Sequence, residues 1–133
     1  MIEMGRDIIG ALKSHAVREA PREACGVLAG RKGMVERMVE CRNASKYPET
    51  TYEIAPTDLL KTLEDIESWS MDVLGFYHSH PMGLDEPSII DEGRATWPGY
   101  SYVIVSISGK SSISSWRWDK AKNKFEKEEV KVR

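Results

Sequence analysis

The sequence predicts an α/β domain, a mixed β-sheet with helices packed on it. Two stretches, residues 6–20 and 56–69, carry apolar side chains at helical spacing. Between and after them lie short runs that either alternate or are continuously apolar, rich in branched and aromatic residues, as strands are. Helical and strand patterns interleave, with no repeat and no linker long enough to divide the chain. At 133 residues this is one domain, 1–133, and a chain near this size buries roughly two-thirds of its unfolded surface.

The first helix rests on Ile8, Ile9, Leu12, Ala16 and Val17. It ends at Pro21, which biases Ala20 away from helical angles. His15 has no ligand types beside it and reads as a partly exposed residue without a catalytic role. Ala24 to Gly30 is a buried strand, Gly30-Arg-Lys-Gly33 a turn, and Met34 to Val39 an alternating strand. Asn43 to Glu49 is loop-like and Thr51 to Ile54 a short strand. Pro56 suits the first position of a helix that buries Leu59, Leu60, Leu63 and Ile66. Val73 to Tyr77 is a buried strand. A helix is expected from Ser88 to before Trp97, then an alternating strand from Tyr100 to Ser106 with Val103 and Val105 on one face. Gly109-Lys110 turns the chain into Ser112 to Trp118, which alternates with one slip, and Phe125 to Val132 reads as a last, exposed edge strand.

Composition excludes several classes. The chain is 41% hydrophobic and 30% charged, ordinary for a globular protein. A net charge of −2 gives no reason to invoke nucleic acid or an anionic membrane. No apolar run approaches a membrane span, and Glu3, Arg6 and Asp7 stand where a signal peptide would be apolar. Cys25 and Cys41 fit a reducing compartment rather than a disulfide framework, so a cytoplasmic location is expected. The glycines around Gly26 and Gly30 lack phosphate-loop spacing.

The chemistry-bearing stretch is Gly75 to Asp91. His78 and His80 stand one residue apart at the end of a strand, so both imidazoles point to one face and Ser79 to the other. Pro81 stops the strand because it offers no N–H to the ladder. After a polar loop, Ser88 reads as a helix N-cap with Asp91 three residues on, which places a carboxylate beside the strand end. Alone, Ser-x-x-Asp is a capping box, and a single strand histidine is an ordinary residue. Together, two imidazoles and a carboxylate are three of the four ligands zinc prefers, leaving one position for water.

His78-Ser-His80-Pro81, six residues, then Ser88-Ile-Ile-Asp91, resembles the JAMM motif of the MPN+ metalloproteases. Pro21 to Gly30 resembles the segment that carries that family's glutamate, and Tyr52 to Pro56 and Trp97 to Tyr102 resemble its compact prokaryotic branch. The resemblance implies a single-domain MPN fold with a curved mixed sheet and a cytidine-deaminase-like architecture. It implies one catalytic Zn²⁺ held by His78, His80 and Asp91, with Glu23 as general acid/base and Ser88 sharing the developing oxyanion. On its residues alone, Glu23 reads as an ordinary exposed glutamate at a strand start. Cys25 reads as a small buried hydrophobe.

The implied activity is a zinc metallo(iso)peptidase cleaving after the C-terminal Gly-Gly tail of ubiquitin-like or sulfur-carrier proteins. Two alternatives are weighed against it. Inert MPN scaffolds usually lack ligands of the motif, all of which stand here. A zinc nucleobase deaminase wants His-x-Glu and Pro-Cys-x-x-Cys, neither of which is present. The modifier's identity, isopeptide against linear or amino-acid release, homodimerisation and any activating partner stay open at the level of sequence.

Overall fold

A computed structural model describes residues 1–88, 91 and 97–133. In chain order the elements are β1 (Ile2–Met4), α1 (Arg6–Glu19), β2 (Cys25–Arg31), β3 (Met34–Cys41), α2 (Pro56–Ser68), β4 (Asp72–His80), β5 (Ser101–Ser106), β6 (Ser112–Asp119), β7 (Lys124–Glu128) and β8 (Val130–Val132). The strands form one sheet in the order β7-β6-β5-β4-β2-β3-β1-β8. β4 with β5, and β1 with both β3 and β8, are parallel, and the other pairs are antiparallel. The sheet is therefore mixed, as its sequence predicts.

Topology dictates the curvature. β7 and β8 stand at opposite ends of the order, yet only Glu129 separates them in the chain. Seven strand spacings laid flat would put them about 34 Å apart, whereas the two steps from Glu128 to Val130 span at most about 7 Å. The sheet must curl until its edges almost meet.

The two helices cover opposite faces. On one, Ile8, Leu12 and Ala16 of α1 pack with Ile2, Met4, Leu28, Val35, Tyr77, Val103 and Val105. On the other, Ile66 of α2 packs with Cys25, Val27, Ala29, Phe76 and Tyr102, and Leu59 flanks them. A register shift between β2 and β4 pairs Leu28 with Gly75 and Ala29 with Val73, leaving Leu74 bulged. From Gly75 onward, Phe76, His78 and His80 consequently share the α2 face, while Tyr77 lies in the α1 core. Gly75 itself is required, because a Cβ there would lie 2.1 Å from the Ser101 carbonyl oxygen. No helix among the described residues is long and apolar enough to cross a membrane.

Several expectations are corrected. Ile2–Met4 is a strand with no counterpart in the sequence reading, and Phe125 to Val132 is divided into β7 and β8. Thr51 to Ile54 is not a strand; Ile54 makes one isolated bridge to Asn43. Leu60 is exposed, and Thr62 lies buried beside Ile66 instead. β6 pairs with β5 without a slip, because Ile113 joins the α1-side core while Trp118 packs on Phe125, which flanks the other. β5 is buried on both faces rather than alternating. His15 is buried, its Nδ1 at 2.8 Å from the Tyr77 hydroxyl. The helix expected after Ser88 lies outside the described residues except at Ser88 and Asp91.

Candidate metal centre

β4 is a central strand, paired antiparallel with β2 and parallel with β5, so its side chains are held from both sides. His78 lies opposite Cys25 on one neighbour and Ile104 on the other. Ser79 faces away and its Oγ accepts the Ala24 N–H at 2.7 Å. Beyond Pro81 the loop returns, and the Leu84 carbonyl lies 2.7 Å from His80 Nδ1. Ser88 and Asp91 form the reciprocal pair expected of a helix cap. The Ser88 N–H donates to Asp91 Oδ2 at 2.9 Å, and the Asp91 N–H donates to Ser88 Oγ at 3.0 Å.

Three donor atoms converge as a result. His78 Nε2 and His80 Nε2 are 3.1 Å apart, and Asp91 Oδ2 lies 3.2 Å from the first and 3.0 Å from the second. All three residues are buried. Bonds of 2.0–2.2 Å in a tetrahedral zinc site separate neighbouring donors by about 3.3–3.6 Å, so the triangle fits that ion with the donors opening by a few tenths of an ångström. The tautomer argues the same way. Donation from His80 Nδ1 to Leu84 leaves a neutral ring's Nε2 with its lone pair facing a carboxylate oxygen and a second imidazole. Lone pairs converging in a buried site call for a cation between them.

Electrostatics follow from burial and this clustering. Burial would raise the Asp91 carboxyl, but contacts with His78 and His80 and the Ser88 N–H hold it far below the usual carboxylate range. Burial lowers His78. It acts the same way on His80, where Asp91 and the Leu84 carbonyl outweigh it and raise the ring above its ordinary value. The Cys25 thiol is pushed up to about 12 by burial, which makes it an inert core residue rather than a nucleophile.

Glu23 is 4% exposed, not the surface glutamate its residues alone suggest. It precedes the first ladder pair of β2 with β4, Cys25 with His78. Extending that register sets Glu23 opposite His80, whose titration it influences. Two further residues adjoin the site to which the sequence assigned no role there, although Tyr52 opens a stretch that resembles the family. Tyr52 stacks on His78 with ring centroids 4.3 Å apart and planes at 16°, and buried Asn43 hydrogen-bonds the Glu23 carbonyl at 3.0 Å. Tyr52 and Glu53 also line a cavity of about 210 Å³, together with Ile54, Leu59, Phe76, Trp97 and Tyr102.

A family model described as prokaryotic homologs of the JAB domain matches residues 5–119. The chain belongs to this family. Among curated proteins, it is 39% identical over 114 residues to the desampylase of Haloferax volcanii, covering 84% of this chain and 82% of that protein. It is 38% identical to the probable TtuB-protein conjugate cleaving protease of Thermus thermophilus, covering 78% and 69%. It is 38% identical to the CysO-cysteine peptidase of Mycobacterium tuberculosis, covering 75% and 69%. A Desulfitobacterium hafniense protein of solved solution structure superposes with a TM-score of 0.91 at 29% identity, over 100% of this chain and 93% of that one. In this prokaryotic JAB chain, His78, His80 and Asp91 come together with Ser88 attached, and Glu23 is buried on the adjoining strand end.

Proposed function

We propose that this chain is one catalytic domain, residues 1–133, and a zinc metallo(iso)peptidase. It would cleave the bond after the C-terminal glycines of a ubiquitin-like or sulfur-carrier protein in the cytoplasm. The observation that carries the reading is the buried triangle of His78 Nε2, His80 Nε2 and Asp91 Oδ2, with donor separations of 3.0–3.2 Å. Support for the substrate class comes from the relatives, named for desampylation, conjugate cleavage and CysO-cysteine cleavage.

His78, His80 and Asp91 would hold the ion. When bound, zinc supplies a Lewis acid for the scissile carbonyl and a nucleophilic water near neutral pH. The remaining steps belong to the chain. Glu23 takes the proton from the attacking water and delivers it to the leaving nitrogen, a role that demands hydrogen-bond reach of both. Ser88 Oγ accepts the Asp91 N–H, and its own O–H proton points to the developing oxyanion, the kind of stabilisation that usually dominates such reactions. Tyr52 clamps the His78 ring by stacking. Burial raises its phenol strongly, so the ring stays neutral and brings no competing anion.

The test is to incubate zinc-loaded protein with ubiquitin-like proteins joined through Gly-Gly to lysine, cysteine or a short peptide, and to identify products by mass. Cleavage after the last glycine is expected, with loss when either glycine becomes bulky, since a glycine tail can lie flat and pair with a strand edge. Equal cleavage of unrelated unfolded peptides would make the protein a general protease.

A further inference from the structure

We propose that Asn43 is the positioning residue for Glu23, a role that rests on Glu23 handling protons as described above. Asn43 lies in the irregular connection between β3 and α2 and is only 6% exposed. Its side-chain NH₂ donates to the Glu23 carbonyl at 3.0 Å and to the Thr51 carbonyl at 3.0 Å, with the Pro48 carbonyl at 3.4 Å. Its Oδ1 accepts the Ser45 N–H at 2.9 Å and the Glu53 N–H at 3.2 Å. The amide can sit only this way round. Flipped, it would set an oxygen against carbonyls and an NH₂ against two N–H groups.

What this one side chain joins gives it a role beyond loop filling. Glu23 lies outside the β2–β4 ladder, which begins at Cys25. Its backbone is gripped instead by the 43–53 connection, through Asn43 and through its own N–H on the Pro48 carbonyl at 2.7 Å. The other strong donation goes to Thr51, whose neighbour Tyr52 stacks on His78. Asn43 therefore fixes the general-base segment and the ring that clamps His78 in a single frame. A displacement of about 1 Å in such a group can cost ~10² in rate.

Asn43→Asp tests this with little change of shape. It removes the donations to the Glu23, Thr51 and Pro48 carbonyls while keeping acceptors for Ser45 and Glu53. Asn43→Ser, which adds no charge, serves as the second variant. Both are expected to lower kcat by about 10–100-fold with KM held within about threefold. Zinc content and resistance to a competing chelator should stay at wild-type values, since the ligands are untouched. In a Glu23→Gln background, followed by mass over long incubations, either change should lower the residual rate by less than about threefold, because residues acting as one unit are not additive. The full loss recurring in that background would overturn the proposal, as would zinc lost in step with activity. Neither variant folding would make Asn43 a purely structural residue. Near-normal turnover in Glu23→Gln alone removes Glu23 from catalysis and the Asn43 role with it, an outcome distinct from additivity.

Discussion

Replacing Ser88 by alanine separates two jobs that one oxygen can hold at once. As a cap, Ser88 Oγ accepts the Asp91 N–H at 3.0 Å while the Ser88 N–H holds Asp91 Oδ2 at 2.9 Å. Loss of the side-chain half of that box costs about 1 kcal/mol. For a chain of this length, that lowers Tm by about 3–5 °C. The backbone N–H remains on Asp91 Oδ2, so the carboxylate keeps its place among the donors and zinc content should hold. As an oxyanion donor, the same hydroxyl is worth about 10²–10³ in turnover. Ser88→Thr retains acceptor and donor, and should keep the cap and much of the rate. The assay is turnover on a Gly-Gly fusion, zinc content and melting temperature for both variants side by side. A destabilised but fully active Ser88→Ala would leave Ser88 a cap and refute its catalytic role. Zinc loss would instead show that its hydroxyl is needed to orient Asp91.

Two further outcomes follow. Glu23→Gln should keep fold and zinc while losing most turnover, measured by single-turnover product formation and metal analysis; loss of zinc would make Glu23 a ligand. Glu128, its side chain 7% exposed, accepts from Ser115 Oγ at 2.5 Å and Arg117 Nε at 2.8 Å. Burial would raise its carboxyl, but hydrogen bonds from Ser101, Ser115 and Arg117 hold it below its ordinary 4.5. A lowered folded value means stability is fully present above the unfolded value and is lost as pH falls through the folded one. Glu128→Gln should therefore cost about 1.5–3 kcal/mol at neutral pH, with the difference from wild type shrinking in denaturant titrations below about pH 4. A constant difference down to pH 3 would contradict this account.

Where local rules suffice, the sequence was legible. Strand alternation alone sets His78 and His80 on one face, and the capping-box spacing alone brings Asp91 to Ser88. Pro56 marks the first turn of α2 as expected. What escaped depends on partners distant in the chain. Ile2–Met4 is three residues long and becomes a strand only by lying between β3 and β8. The break between β7 and β8 exists because the curled sheet sends consecutive residues to opposite edges. His15 is buried because Tyr77, 62 residues away, provides its hydrogen bond. Asn43 looks like any loop asparagine until the folded chain brings the Glu23 and Thr51 carbonyls to it. Glu23 needed the family resemblance, since its backbone is held by Asn43 and Pro48, distant in the chain, rather than by any local pattern.

The central claim is that His78, His80 and Asp91 hold one zinc on which cleavage depends. The most direct measurement is zinc content together with cleavage of a Gly-Gly fusion, before chelation, after it, and after zinc is returned, in wild type and in Asp91→Ala. About one zinc per wild-type chain is expected, with activity lost on chelation and recovered with zinc, and an Asp91→Ala protein that folds but neither retains the metal nor cleaves. Full activity in metal-free wild-type protein would contradict it.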